Sequence, residues 1–565
     1  MNLFLRKTLD RSKPNRRDFL VQTGCAGLGI TSAVNTLAHM QLMGTAAAQG
    51  AGNDYKALVC IFLNGGYDSN NLLIPVAGTA RTQYDSGRGV PVYAGGSGGI
   101  AIPLADINAA GTQITPDNPA SDYEYASGYL GGQNMAVHPG AYHLKSMFDA
   151  GDLSFVTNVG TLSQPSVTRA NFSSLPPSQK PPQLFSHSDQ QVQWQSSIPD
   201  QPFKSGWGGR MSDLLDPIHN TDPDALAMMV SINGFNSFQV GLSQQPYVMG
   251  SGGVTSFSGY GTNYTNGLLT LGKQPYTGYD PFKWPGTTGS NYKTGTGWRL
   301  AALEQLVGMS HANLFDSAGA KVSRSARVTE GLVGGALAVT DAGGGLTTLD
   351  DHFTNAFSGT GINGLTNGFA AQLRTAARLI VGSTALSNKR QIFFVQLGGW
   401  DTHTSQIPVT TAGDAARTDQ GYYSLMLQLT CAMKGFRDAL IANSMWDSTL
   451  AFTASDFTRT FTPNKTDATG GSDHGWGGHM MVMGGAVNGK RIFGQYPNLT
   501  VNGGIDVQGN RGRWIPTTSV DQYAAVIAKW FGVPADKMAS IFPNLSRFND
   551  PFNPATRLQF LNFSA

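Results

Sequence analysis

Three runs of consecutive apolar residues, each about the length of one buried strand, set the pattern of this chain. They are Lys56–Leu63 (KALVCIFL), Gln391–Leu397 (QIFFVQL) and Thr449–Ala454 (TLAFTA). Each hands over to a polar turn that carries an aspartate. The first runs into Asn64-Gly65-Gly66-Tyr67-Asp68, and the second into Gly398-Gly399-Trp400-Asp401-Thr402-His403. The third runs into Ser455-Asp456-Phe457-Thr458-Arg459, and a Gly-rich loop then delivers Asp473, His474 and His479. A further apolar run, Met480–Met483, closes on Gly484-Gly485. In open α/β sheets ligands bind beyond the carboxyl ends of the strands, so three strand–turn–Asp units predict one shared site.

Shorter patterns fill the rest of the chain. Leu153–Asn158 and Ala227–Ile232 are expected strands. Helical spacing is expected over Ala141–Ala150, Met211–Leu215, Trp298–Phe315, Thr366–Leu386 and Gly421–Asn443. A last helix is expected over Thr517–Phe531, capped by Thr517 or Thr518 and stopped by Gly532. His138 precedes the first of these helices and is expected to cap or pack there. Ser186, His187, Ser188 and Asp189 fall at another helix start, a position suited to caps and to anions. Two stretches break the pattern. Residues 78–133 read as a long irregular insertion, and residues 243–297, rich in Gly, Ser, Thr and Tyr, as a second one.

Composition refines this picture in two places. The chain has 565 residues, enough for a large core or two domains. Its net charge is +2, and the first 48 residues, with six Lys/Arg against two Asp, hold all of that excess. No basic surface for nucleic acid is therefore expected. That basic leader contains Asn15-Arg16-Arg17-Asp18-Phe19-Leu20, the twin-arginine export pattern, followed by a weakly apolar segment and Ala46-Ala47-Ala48. Residues 1–48 are expected to be a cleaved signal and residues 49–565 the mature domain, periplasmic or extracellular. No later segment approaches the roughly 20 apolar residues of a membrane span. Beyond the leader only Cys60 and Cys431 remain, expected as buried thiols without a disulfide.

The candidate chemistry is that of a divalent metal, held by carboxylate oxygens and imidazole nitrogens. Asp401, His403 and His474 would form a mixed site suited to Zn, with Asp473 orienting an imidazole. Asp68 and Asp456 would form an oxygen-only site suited to Ca, Mg or Mn. Arg459 offers a planar fork for a phosphate or sulfate group.

The motifs NGGYDSNN, VHPG, FSHSD, GWGGR, LGGWDTH, SDFTRT, SDHGWGGH and VMGGAVNGK occur here in that order behind the twin-arginine leader. In this the chain resembles a bacterial family, domain of unknown function 1501, which looks like part of the alkaline phosphatase/sulfatase superfamily. That resemblance implies a three-layer α/β/α sandwich, alkaline-phosphatase-like, with long loop-rich insertions. It implies one or two metal ions on Asp68, Asp401, His403, Asp456 and His474, and Ser186 as the best match to the nucleophile. The implied activity is hydrolysis of phosphate or sulfate esters, on a small-molecule or polymer substrate. Two positions depart from the superfamily pattern. Phe457 follows Asp456 where its phosphatases have His, and Asp401 and His403 have one residue between them where its members have three. A one-metal, sulfatase-like site and a non-catalytic metal-binding or surface-assembly protein both stay open.

Overall fold

The three apolar runs form the middle of a nine-stranded sheet. Its members are β1 (Lys56–Leu63), β5 (Leu153–Gly160), β6 (Met229–Ser231), β7 (Tyr247–Val248), β8 (Arg390–Leu397), β9 (Thr449–Ser455), β10 (Gly478–Gly484), β11 (Ile492–Gly494) and β12 (Thr518–Ser519). The order is β11-β5-β10-β9-β1-β8-β6-β7, with β12 beside β5. A separate small sheet joins β2 (Leu73–Pro75), β3 (Gln113–Ile114) and β4 (Met135–Val137). The computed structural model describes residues 55–222, 225–254, 329, 332–337, 348–407, 421–507, 509 and 511–563. The leader, the helix expected over 298–315 and most of the 243–297 segment lie outside the described residues.

Pairing in the large sheet is parallel except at β10, which runs antiparallel to both β5 and β9. β1 lies between β8 and β9, with Leu63 opposite Leu397 on one side and Ser455 on the other. The three carboxyl ends therefore finish level and adjacent, with strands about 4.8 Å apart. This register is what lets three turns distant in sequence meet.

Among the described helices, those that frame the sheet and its edge include α1 (Gly78–Arg88), α2 (His187–Ser196), α3 (Trp207–His219), α4 (Gly368–Val381), α5 (Gly421–Ala442) and α6 (Val520–Phe531). Cys60, Phe394 and Phe452 share one row of the sheet and hence one face. On that face Trp207 of α3 lies 5.3 Å and Tyr523 of α6 lies 6.2 Å from the Phe452 ring. The alternate residues Val59 and Ile61 are equally buried, so the other face is covered too, and α4 and α5 pack together with α4 against β8. The result is an α/β fold with a large, mostly parallel central sheet and flanking helices. Cys60 in β1 and Cys431 in α5 are buried free thiols. No described helix is long and apolar enough to cross a membrane.

Two expectations need correction. Residues 78–133 are not irregular, for they hold α1, a shorter helix Leu104–Ala110 and strand β3. Helix α1 escapes an apolar-stripe reading because its buried face is Ala80, Arg81, Tyr84 and Arg88. The cap of α6 is Ser519, not Thr517 or Thr518, and its hydroxyl accepts from the Gln522 amide in a capping box. Thr518 is taken up by β12, which pairs with β5 before the helix starts. The stop at Gly532 is as expected, with φ +119°. His138 is buried against the rings of Tyr422 and Tyr423, 5.2 and 4.7 Å away.

Candidate metal centre

The turns after β1, β8 and β9 press closely on one another. Gly65 and Gly66 have φ of +114° and +73°. A Cβ on Gly65 would lie 2.7 Å from the Asp401 amide nitrogen, and one on Gly66 2.3 Å from the Phe457 ring. Only glycine meets both the backbone conformation and the contact. The Gly65 amide points at the Asp456 carboxylate, 3.3 Å from each oxygen.

Four side chains converge at this junction. His403 Nε2 lies 3.0 Å from Asp401 Oδ1 and 3.0 Å from His474 Nε2. His187 Nε2 lies 3.4 Å, and His474 Nε2 3.5 Å, from the same Asp401 oxygen. Each imidazole has its other nitrogen engaged by an acceptor. His187 Nδ1 is 2.6 Å from Asp456 Oδ2, His403 Nδ1 is 2.8 Å from Asp473 Oδ1, and His474 Nδ1 is 2.6 Å from the Phe185 carbonyl. A carbonyl oxygen or a carboxylate can only accept, so each Nδ1 carries a proton, and an unprotonated Nε2 presents its lone pair inward.

Two lone pairs facing each other at 3.0 Å repel unless a proton or a cation sits between them. His187 Nε2 is moreover buried with no hydrogen-bond partner among the described residues. The ligand atoms of His187, Asp401 and His474 all lie within 4.8 Å of one another, and His403 stands at the edge of that group, 3.0 Å from both Asp401 and His474. Two imidazole nitrogens and one carboxylate oxygen, with a third imidazole beside them, suit the donor chemistry of a zinc-type ion. Asp456, Asp473 and the Phe185 carbonyl would be its outer partners, fixing each ring's tautomer.

The local electrostatics follow from these contacts. The hydrogen bond to Asp456 raises the pKa of His187, whereas burial lowers that of His474. Burial would raise Asp473, but hydrogen bonds from Asn464, His403 and Arg511 outweigh it and bring it down to about 2. Asp401 is likewise lowered, its desolvation outweighed by the charge of Arg459. Phe457 packs beside two of the imidazoles, which are themselves 4.3 Å apart, with its ring 4.8 Å from both His187 and His474. The residue that follows Asp456 thus packs against the candidate ligands.

The remaining predicted residues are placed otherwise. Asp68 is fully buried, ion-paired with Arg88 and accepting 2.5 Å from Gln406 and 3.2 Å from Asn70. Asp456 serves His187, so the oxygen-only second site on Asp68 and Asp456 does not form among the described residues. Arg459 is not an open fork. One Nη donates 2.5 Å to Asp401 and 3.2 Å to the Gly65 carbonyl, and the other donates to the Ser472 carbonyl. It fixes Asp401 in place. Ser186 donates 2.6 Å to Asp189 of the helix it caps. His479 lies in β10, buried and stacked on Tyr496 at 5.0 Å, and desolvation lowers its pKa to about 3. His187 is the candidate ligand that the sequence pattern leaves among the caps. Its only signal is a histidine beside serines at a helix start.

Residues 345–507 match the family model described as "Protein of unknown function (DUF1501)". The resemblance read from the motifs is borne out over that stretch. It contains Asp401, His403, Asp456 and His474, whereas His187 lies before it. No curated protein matches the chain. Among solved structures it is similar to the crystal structure of PsFucS1 sulfatase from Pseudoalteromonas sp., at 10% identity and a TM-score of 0.28. That likeness covers 89% of this chain and 72% of the other, and at such a score it decides nothing about chemistry.

Proposed function

We propose that this protein is a metal-dependent hydrolase of phosphate or sulfate esters with a single zinc-type centre on His187, Asp401, His403 and His474. The observation that supports it is the convergence of three imidazole Nε2 atoms, each with its Nδ1 committed, on one carboxylate oxygen. When bound, such an ion supplies Lewis acidity toward an ester oxygen and a more acidic water. The chain's own residues do the positioning. Asp456, Asp473 and the Phe185 carbonyl hold the three rings, Arg459 holds Asp401, and Phe457 packs against two of the imidazoles. The side chains of Asp401 and His403 are 44% and 42% exposed, which leaves the rim open to an ester. In this reading water, not Ser186, attacks, because the Ser186 hydroxyl is engaged by Asp189.

A second reading, a non-catalytic metal-binding protein, is favoured by the ligand count. Were His403 drawn in beside His187, Asp401 and His474, four protein groups would close the coordination sphere, as in structural zinc sites. Metal analysis of the purified protein, beside hydrolysis of aryl phosphates, phosphodiesters and aryl sulfates across several metals, tests both. Bound metal with turnover supports the hydrolase, and bound metal without turnover supports the binding protein. Absence of stoichiometric metal after loading would sink both. We further infer export by the twin-arginine route, on the strength of Arg16-Arg17 and the small residues behind them. Replacing both arginines with Lys is expected to hold the precursor in the cytoplasm.

A further inference from the structure

The carboxylates around the centre already have partners of their own. Asp401 is paired with Arg459, Asp473 with Arg511, and Asp456 with His187. One further guanidinium has no acidic partner within ion-pair distance among the described residues. Arg513 donates through Nε to the His474 carbonyl at 2.8 Å, and its planar head lies over the Phe185 ring, 4.3 Å from the centroid. Its two Nη groups make no hydrogen bond among the described residues.

Phe185 is held for this arrangement at a cost. Its φ is +73°, a conformation that a bulky side chain avoids by about 1–3 kcal/mol. The carbonyl thereby reaches His474 Nδ1 at 2.6 Å, while the ring packs on the cluster around Phe172 and Trp476 and carries Arg513. Arg513, Phe185 and His474 thus form a closed ring of contacts, and the guanidinium is anchored next to a candidate metal ligand. Burial and the neighbouring Arg511 disfavour its charge, and Asp473 and Asp506 offset this only in part. A divalent ion at the centre would add more positive charge to a site whose carboxylates are already paired.

We infer that Arg513 is a specificity residue whose free guanidinium edge grips an anionic oxygen, phosphoryl or sulfuryl, of a molecule bound at the His187/Asp401/His403/His474 centre. This rests on the proposed metal centre and adds what selects its ligand. A planar fork presenting two N–H groups suits tetrahedral oxyanions, and an ammonium does so less well. Arg459, buried in bonds to Asp401 and backbone carbonyls, is not available for that task.

The test is the affinity of inorganic phosphate and inorganic sulfate for the metal-loaded protein, by calorimetry, with metal content measured on the same samples. Arg513→Ala and Arg513→Gln are compared with the parent, the Gln variant keeping part of the stem over Phe185. Both variants are expected to keep their metal and to bind each anion about tenfold more weakly or worse. Arg513→Lys is expected to recover only part of the loss. Unchanged anion affinity in a folded, metal-bearing variant would overturn the inference while leaving the metal centre standing. So would a parent protein that binds metal but neither anion at millimolar concentration. If the parent carries no metal yet loses anion binding on Arg513→Gln, the metal reading falls and the role of Arg513 survives.

Discussion

Asp456 Oδ2 lies 2.6 Å from His187 Nδ1, across 269 residues of chain, and the contact turns an unpartnered imidazole nitrogen toward Asp401. A carboxylate in this position fixes the tautomer and raises the basicity of a ligand histidine. Asp456→Asn is therefore expected to keep the fold and bind metal about 10–100-fold more weakly. His187→Ala is expected to lose most of the metal. Competition against a chromophoric chelator measures both. Wild-type affinity in the Asp456 variant would remove it from the centre.

Asp68 leads to the opposite expectation. It forms a fully buried ion pair with Arg88, so Asp68→Asn leaves a guanidinium without its counter-charge. Breaking such a pair costs about 3–5 kcal/mol. Chemical denaturation should register that loss, while the folded fraction keeps its full metal stoichiometry. Loss of metal at unchanged stability would return Asp68 to the ligands.

Ser186→Ala separates attack by water from attack by serine. Removing a serine nucleophile costs on the order of 10⁶ in turnover in a serine hydrolase. With its hydroxyl committed to Asp189, the substitution is expected here to cost less than about tenfold, with metal unchanged. A collapse of turnover at full metal content would make Ser186 the nucleophile.

Asp521 supplies a stability prediction that does not involve the centre. Burial raises its pKa to about 7, against the partial opposition of hydrogen bonds and Arg210. One oxygen, Oδ1, is buried without a partner among the described residues. The folded state thus holds this proton more tightly than the unfolded chain, whose Asp titrates near about 3.9. Its contribution is fully present below about pH 4 and is lost as the pH rises through about 7. Asp521→Asn should flatten that decline and make the protein more stable at pH 8 by about 1–4 kcal/mol. Denaturation midpoints at about pH 5 and about pH 8, on either side of the shifted pKa, decide it. An equal effect of the substitution at both would refute the titration.

The central strands were legible in the sequence because each is buried on both faces, which leaves an unbroken apolar run that no loop imitates. The same runs located Asp401, His403, Asp456 and His474, since a residue that follows a core strand sits at the sheet's edge wherever that strand lies. Helix α1 was hidden because its inward face is made of Arg81, Tyr84 and Arg88, polar groups that break the apolar stripe and of which Arg88 is satisfied by the Phe461 carbonyl far along the chain. Division of labour among the acids was hidden for the same reason. Asp68 and Asp401 follow similar strands, yet Arg88 reaches one and three imidazoles surround the other. His187 joins the centre through a carboxylate 269 residues away. Local pattern determines which segments are buried and where their ends are. Which charge meets which counter-charge at those ends depends on the pairing of distant strands, and only the tertiary structure decides that.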